Sequence, residues 1–373
     1  MQDQTDTLGR FGKDRLTILS ETPFVAETPE ALLDDETTPI ARFFIRNNGL
    51  LPAPVEDPDA WRFTVDGEVE HPLDLSLAEL KSHFPARTFR MVLECGGNGR
   101  SFFEPQAEGN PWTNGGAGCA EWTGVSLRDV LQAAGLKGTA RFTGHFGADP
   151  DKTGSREKQA MSRGMPIAKA LEEHTLLVWA MNGEALPFVH GGPLRLVVPG
   201  WPGSLSQKWL TRIWIRDREH DGPGMTGLSY RVPVHPLPPG SDAQSVETRI
   251  LESMPVRSII TAPAHGSRYG AGTRGIAVRG AAWAGDDAVA RVECSIDGGA
   301  TWVPARMAPP RNRYDWVRWT AEIALPGDGY YEIVARATDS QGRAQPFRVV
   351  NWNPNGYGCN LMHRVAIRVG EGG

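Results

Sequence analysis

A run of prolines cuts this chain into two stretches with different hydrophobic rhythms. The run is Pro233-Val234-His235-Pro236-Leu237-Pro238-Pro239-Gly240-Ser241. Proline lacks the backbone N–H that a helix or sheet interior needs, so no regular element crosses such a segment. At 373 residues the chain exceeds one ordinary hydrophobic core, and a break here makes room for two. Beyond about residue 245, short alternating runs cover Thr273 to Trp283, Ala288 to Asp297, Trp302 to Arg306, Trp316 to Leu325 and Tyr330 to Asp339. Asp297-Gly298-Gly299, Pro326-Gly327-Asp328-Gly329 and Ser340-Gln341-Gly342 separate them. Alternation with turn signals at that spacing predicts a β-sandwich over 245–373.

Before the connector the pattern is mixed. Trp61 to Gly67 alternates like a strand and ends in an Asp-Gly turn. Ser76 followed by Glu79 is a capping box that opens a helix. Val125 to Gly135 reads as a helix capped by Ser126 and stopped by Gly135. Leu176 to Met181 and Leu194 to Val198 read as buried strands. Strands with a few short helices, and no regular βαβ alternation, predict an α+β domain over 41–240. Residues 1–40 are polar and are predicted to wrap that domain as an extended arm. A GxGxxG-like spacing at Gly270, Gly272 and Gly275 has no helix-forming segment after it, so a dinucleotide site is not expected.

The formal net charge of −5 argues against a nucleic-acid partner, which needs a basic face. Any attraction of an anion must come from a local arginine cluster. The four cysteines Cys95, Cys119, Cys294 and Cys359 lie far apart, without CxxC, CxxCH or zinc-type spacing. Neither c-type haem nor an obvious zinc or iron–sulfur site is expected in this chain. No transmembrane run or signal h-region occurs, so no membrane partner is expected. Met1 before Gln2-Asp3-Gln4 reads as an initiator on a mature, processed chain. The expectation is a periplasmic protein whose export signal has been removed, with a native cytoplasmic start as the alternative.

The most chemically informative segment is Leu93-Glu94-Cys95-Gly96-Gly97-Asn98-Gly99-Arg100-Ser101. An apolar run, Arg90-Met91-Val92-Leu93, delivers one cysteine into a turn with three glycines. Glycine lets a backbone approach a bulky ligand. Thiolate is a soft ligand for transition metals, and Arg100 adds a permanent cation. A metal cofactor that processes an oxyanion suits this set. A buried structural cysteine beside a glycine-rich turn suits it as well.

The segment resembles the cysteine loop of the sulfite oxidase family of molybdenum enzymes. Phe43-Phe44-Ile45-Arg46-Asn47-Asn48, Trp112 and Trp122-Thr123-Gly124-Val125 match other motifs of that family. So do Met181 to Pro187, His190 to Gly200 and Gln207-Lys208-Trp209-Leu210, in the family's order. The resemblance runs from about residue 40 to the C-terminus. It implies a molybdopterin-binding domain followed by an immunoglobulin-like sandwich that forms a homodimer. It implies that Cys95 binds molybdenum, with one pyranopterin dithiolene supplying two more sulfurs. Arg46, Arg100, Trp112 and Tyr230 become the substrate pocket for sulfite. Phe44, Ile45, Arg46, Asn47, Asn48, Asp149, His190, Arg195, Ser206, Gln207 and Lys208 become the cofactor contacts.

Two of these stand out without the resemblance. Arg195 sits inside an apolar strand and Lys208 beside Trp209, which is costly unless an anion, a phosphate or a buried carboxylate, lies opposite. Two departures from the family also stand out. Asn48 occupies a position where animal members carry histidine. Asn355, in Trp352-Asn353-Pro354-Asn355-Gly356, replaces a substrate arginine and makes the pocket less positive. The implied activity is oxidation of sulfite to sulfate, with electrons passed to an external acceptor such as a c-type cytochrome. The alternatives are direct use of oxygen, a reductase of nitrate or an S-oxide on the same scaffold, and a non-catalytic binding module.

Overall fold

The computed structural model describes residues 7–155, 157–242, 246–350 and 352–370. The Met1-Gln2 start and the expected domain boundary at 245 lie outside the described residues.

The first domain is built on two sheets. In one, strands Ala86–Glu94 and Ala117–Ser126 run antiparallel, from the pair Ala86↔Val125 to Glu94↔Ala117. Leu176–Met181 lines the other side of Ala117–Ser126, and Glu184–Ala185 and Arg195–Val197 both pair with it. Ala86–Glu94 begins half-exposed and ends with five buried residues, Arg90 to Glu94. That change drives its C-terminal end, and the cysteine after it, into the interior. The second sheet has the order Leu73–Ser76, Arg62–Gly67, Leu210–Arg216, Phe142–Gly147. Its central pair, Arg62–Gly67 with Leu210–Arg216, is parallel while its neighbours are antiparallel. Phe63, Val65, Leu127, Leu131, Leu196 and Ile213 belong to the core that holds this domain together.

The helices are short. Leu77–His83 has the expected capping box, with Ser76 and Glu79 satisfying each other's backbone N–H groups. Leu127–Ala134 ends at Gly135, whose φ of 68° favours glycine. Ser126 stands at its N-cap, but the side chain makes no capping bond and its buried hydroxyl has no partner. Position alone therefore does not make a cap.

The arm is more than an extended wrap. Thr17–Glu21 and Phe24–Glu27 form a hairpin that adds Ile45–Arg46 as a third strand. Leu8, Leu16 and Phe24 pack on Ile45 and Val189. Further along, Asp34 pairs with Arg279 and Arg318 of the second domain. Apolar residues set sparsely among polar ones produced too weak a pattern to reveal this.

After the connector, where Arg231–Pro233 pairs with Thr248–Ile250, the chain forms a β-sandwich. One sheet has the order Arg257–Ala262, Gly275–Trp283, Val317–Ala324, Arg306–Met307. The other has Ser267–Tyr269, His363–Val369, Gly329–Asp339, Val289–Ser295, Val303–Pro304. Val278, Trp319, Ile333 and Ile367 are among the residues packed between them. The expected strand from Trp302 to Arg306 is two short edge strands on opposite sheets. Pro304 offers no N–H to a ladder, so the chain changes sheets there. Arg257–Ala262, with five buried residues in succession, shows no alternation that could have marked it. Gly275 opens a strand and not a helix.

Buried ion pairs fasten the domains together. Arg90 of the first domain makes a two-pronged pair with Asp315 at 2.8 Å on both prongs. Arg257 of the second reaches Glu94 at 3.3 Å, and Trp283 donates to the other oxygen of Glu94 at 2.7 Å. Among the described residues, no helix is long and apolar enough to cross a membrane.

Candidate active site

Cys95 follows directly on the strand Ala86–Glu94, and its loop is pinned from both ends. The Cys95 N–H donates to the Gly116 carbonyl at 2.8 Å, and the Asn98 N–H donates to the Cys95 carbonyl at 2.9 Å. The Asn98 side chain accepts from the Gly116 N–H and donates to Glu94. Glycine is required at two positions. A Cβ on Gly97 would stand 2.3 Å from the Arg100 guanidinium, and Gly99 has φ of 85°. Cys95 is a free thiol, buried from bulk solvent but lining a pocket.

The pocket, a cavity of about 50 Å³, gathers residues from most of the first domain. Phe44, Arg46, Asn47 and Asn48 line it from the strand that closes the arm sheet and the turn after it. Asp149 follows Phe142–Gly147, while His190 and Arg195 flank the Gly191-Gly192 turn. Ser206, Gln207 and Lys208 precede Leu210–Arg216, and Tyr230 precedes the connector. Twelve of the fifteen positions expected from the sequence line this pocket. Three do not line it: Ile45, Arg100 and Trp112. Ile45 packs with Leu8, Leu16 and Phe24 of the arm instead. Arg100 lies under the loop, donating to the carbonyls of Asn355 at 2.7 Å and Asn110 at 3.0 Å. Trp112 is fully buried with its ring edge-on to Phe44, and its indole N–H has no partner.

Tyr230 is held in a left-handed conformation, φ 51°, and stacks on Tyr357 at 4.9 Å. It passes so close to Gly96 that a Cβ there would lie 3.4 Å from its ring. Asn355, two residues before Tyr357, donates its amide to the Leu228 carbonyl at 3.1 Å.

Charge is what sets this pocket apart. Lys208 donates to the Asn47 side chain at 2.6 Å and to the Val189 carbonyl at 2.7 Å. Burial, with Arg195 adding to it, pushes its ammonium well below the usual lysine range. Arg195 donates to the His190 carbonyl at 2.7 Å, its Nε has no partner, and burial lowers it to about 9. Burial and then Lys13 push His190 well below the ordinary histidine range. Asp149 is the acid nearby. Burial raises it to about 6 against the opposing pull of Lys208, and it accepts from Gln207 at a long 3.4 Å. Ser206 accepts from the Val198 N–H at 3.0 Å.

Two more buried cations join the set without having been anticipated. Lys13, from the arm, contacts the Ile40 carbonyl and His190 Nε2, and burial lowers it to about 7. When protonated, that ammonium offers only donors, so Nε2 of neutral His190 must accept and the ring proton sits on Nδ1. Arg163 lies against Tyr230 with its guanidinium 4.5 Å from the ring centre. Lys13 stands in a polar arm and Arg163 in an irregular loop, so neither falls on a hydrophobic period that would have exposed it. Among the described residues, none of Lys13, Arg46, Arg163, Arg195 and Lys208 has a carboxylate within ion-pair distance. No group of three His, Cys, Asp or Glu that could hold a metal occurs among the described residues either.

Buried cations with unsatisfied N–H groups and no acid opposite are the counterpart of an anionic ligand. The pocket has one soft metal ligand at one end and a cationic, hydrogen-bonding wall at the other. Residues 50–223 match the description "Oxidoreductase molybdopterin binding domain", and residues 248–370 match "Mo-co oxidoreductase dimerisation domain". Sulfite oxidase of Gallus gallus is 35% identical over 94% of this chain and 77% of its own length. This chain is a member of the sulfite oxidase family of molybdopterin oxidoreductases.

Other relatives of the family frame it. The chain spans 66% of the length of the mitochondrial sulfite oxidase of Homo sapiens, at 35% identity. The NADH nitrate reductase of Ulva prolifera is 28% identical over 95% of this chain but 43% of its own length. Among solved structures, the sulfane dehydrogenase SoxCD from Paracoccus pantotrophus superposes with a TM-score of 0.76. It is 28% identical and covers 92% of this chain and 84% of its own. The residues present fit the family's molybdenum cofactor. Cys95 supplies the thiolate, the unpartnered Nε–H of Arg195 awaits an anionic acceptor, and the unpartnered amide oxygen of Gln207 awaits a donor.

Proposed function

We propose that the chain oxidises sulfite to sulfate at a molybdenum centre and passes the electrons to a separate acceptor. The observation that carries this reading is the meeting of Cys95 and Arg46 with buried cations that lack carboxylate partners. Sulfite has a sulfur lone pair and three oxygens. Its conversion takes one oxygen atom from water and releases two electrons and two protons. When bound, the molybdenum cofactor supplies the oxygen-atom transfer and takes up the electron pair.

The chain's own residues do the rest. Cys95 holds the metal as a thiolate, which metal binding itself deprotonates. Arg46 spends one N–H on the Asn47 carbonyl, and the remainder of its fork matches two oxyanion oxygens. Tyr230 offers a phenolic donor beside Cys95. Trp112 and Arg100 act from behind, one by shaping the apolar wall and the other by setting the loop. Phe44, Asn47, Asn48, Asp149, His190, Arg195, Ser206, Gln207 and Lys208 bind and orient the pterin and its phosphate.

The acceptor in this reading is a c-type cytochrome in the periplasm, met through a small, salt-sensitive interface. The C-terminal sandwich joins two copies into a homodimer. One observation favours a second reading. Behind the pocket, Asn355 is a neutral amide bonded to the Leu228 carbonyl, and Arg100 is turned to carbonyls. A nitrate ion carries less charge than fully ionised sulfite, so a less positive pocket suits a nitrate reductase.

Sulfite-dependent reduction of cytochrome c, ferricyanide and oxygen, measured on protein with about one molybdenum per chain, tests the proposal. Sulfite oxidation with cytochrome reduction that weakens with salt is expected. Full molybdenum content with no sulfite turnover, but nitrate turnover with a reduced dye, would replace it with the second reading. Hydrogen peroxide formed at the ferricyanide rate would make the protein an oxidase. Light scattering on the full chain checks the dimer.

A further inference from the structure

We infer that Arg163 is a positioning residue for the anionic substrate, adding from behind Tyr230 a positive charge to those that line the pocket. The inference rests on the proposed sulfite chemistry for the identity of the anion, not for the existence of the site.

Arg163 is 1% exposed. One of its terminal nitrogens donates to the Ser204 hydroxyl at 2.8 Å. Its Nε and its other terminal nitrogen have no partner. The plane lies against Tyr230, 4.5 Å from the ring centre. Burial lowers the group only to about 10, so it stays charged at neutral pH. No carboxylate among the described residues pairs with it. The ionisable groups that face it are Tyr230, Tyr357 and His145. Two are phenols and one an imidazole; no carboxylate is among them. Burial holds Tyr357 up at about 12, and it holds His145 down at about 3, with His220 and Arg163 adding to that.

A buried guanidinium with open N–H groups and no counter-ion is unfavourable unless something else neutralises it. Ser204, to which it donates, and Tyr230, on which it lies, both line the pocket. The pocket is therefore the direction from which a counter-charge arrives. In low-dielectric surroundings a charge one layer back still acts strongly on an anion. Arg163 also sits where it fixes the Tyr230 ring, whose left-handed backbone needs outside support.

The test uses the molybdenum-loaded protein. Arg163→Met is compared with the parent in sulfite kinetics and in thermal melts with and without sulfate, a product that shares the substrate's charge. The expected result is a KM for sulfite raised about tenfold or more, with kcat changed less. Without sulfate the variant melts no lower than the parent, and it loses most of the sulfate-induced rise. Arg163→Lys keeps the charge and restores most of the affinity, while Arg163→Gln does not. A merely structural arginine predicts something else: equal loss of melting temperature with and without sulfate, and unchanged KM. That outcome, or equal defects in the Lys and Gln variants, overturns the inference. If the parent fails to turn over sulfite, the functional proposal falls while the sulfate melts still decide the role of Arg163.

Discussion

Two sets of buried basic side chains, one between the domains and one around the pocket, differ in what neutralises them. At the domain junction Arg90 meets Asp315 and Glu36, and Arg257 meets Glu94. Arg257 also donates to the carbonyls of Asn98 and Cys359 and to the Asn114 side chain. Around the pocket Lys13, Arg163, Arg195 and Lys208 are as deeply buried, yet backbone carbonyls, hydroxyls, an amide and aromatic rings are all they touch. The first set is complete within the protein and holds the fold. The second has no carboxylate partner among the described residues, which is what the proposed anionic ligands require. Burial alone does not separate structure from function here; the presence or absence of an acid does.

The largest expected effect concerns the residue on which the pocket turns. Cys95→Ser should lower sulfite turnover by at least about a thousandfold, because a hydroxyl is a poor substitute for thiolate on this metal. Pterin content, read as its fluorescent oxidation product, should persist because the cationic wall is intact. Near-parental turnover would remove Cys95 from the metal.

The comparison itself breaks or holds on two methionine substitutions. Arg257→Met strands Glu94, a fully enclosed carboxylate that burial already pushes up against the pull of Arg257. Chemical denaturation should show a loss of about 3–5 kcal/mol. Arg195→Met should leave the cofactor-free protein as stable as before, or more so, while pterin retention collapses. Equal destabilisation by both would show that the two sets are not different in kind.

Arg46→Gln should cost roughly 2–4 kcal/mol in kcat/KM, or about 30- to 1,000-fold, through loss of a charge-assisted contact with a desolvated anion. Unchanged kcat/KM would take Arg46 away from the substrate.

The smallest effect is a pH dependence. Lys13 is lowered to about 7 by burial, while the unfolded chain keeps its lysines protonated to about 10.4. Between those values the unfolded state binds more protons, so stability rises with pH across that window. Cofactor-free protein should therefore gain on the order of 1–3 kcal/mol from about pH 7 to 10, and Lys13→Met should flatten part of the rise. Loading the cofactor should flatten it too, since an anion returns the ammonium toward its ordinary range. An identical slope in all three samples would separate Lys13 from the pocket.

Much of the site was legible because the chain carries it in short motifs. The run into Cys95, the glycines behind it, and the charged Arg195 and Lys208 set among apolar residues are local facts. Ile45, between Phe44 and Arg46, is the one residue of that motif turned to the far side, where it packs on the arm, and the sequence does not mark it out. The sandwich was legible from its turns, but Arg257–Ala262, buried on both faces, was not. A strand without alternation has no periodic signature.

By itself the sequence determined the β-rich second domain and a free thiol in a glycine turn with cations downstream. Each follows from neighbours along the chain. Tertiary structure decided which cations lack acids. Arg257 looks no different from Arg163 and Arg195 as a letter, yet it has the Glu94 carboxylate opposite while those two have no carboxylate partner among the described residues. It also decided that the arm's Lys13 meets His190, 177 residues away. Counter-charges are matched across space, at separations no local pattern encodes, and only the folded chain shows which remain unmatched.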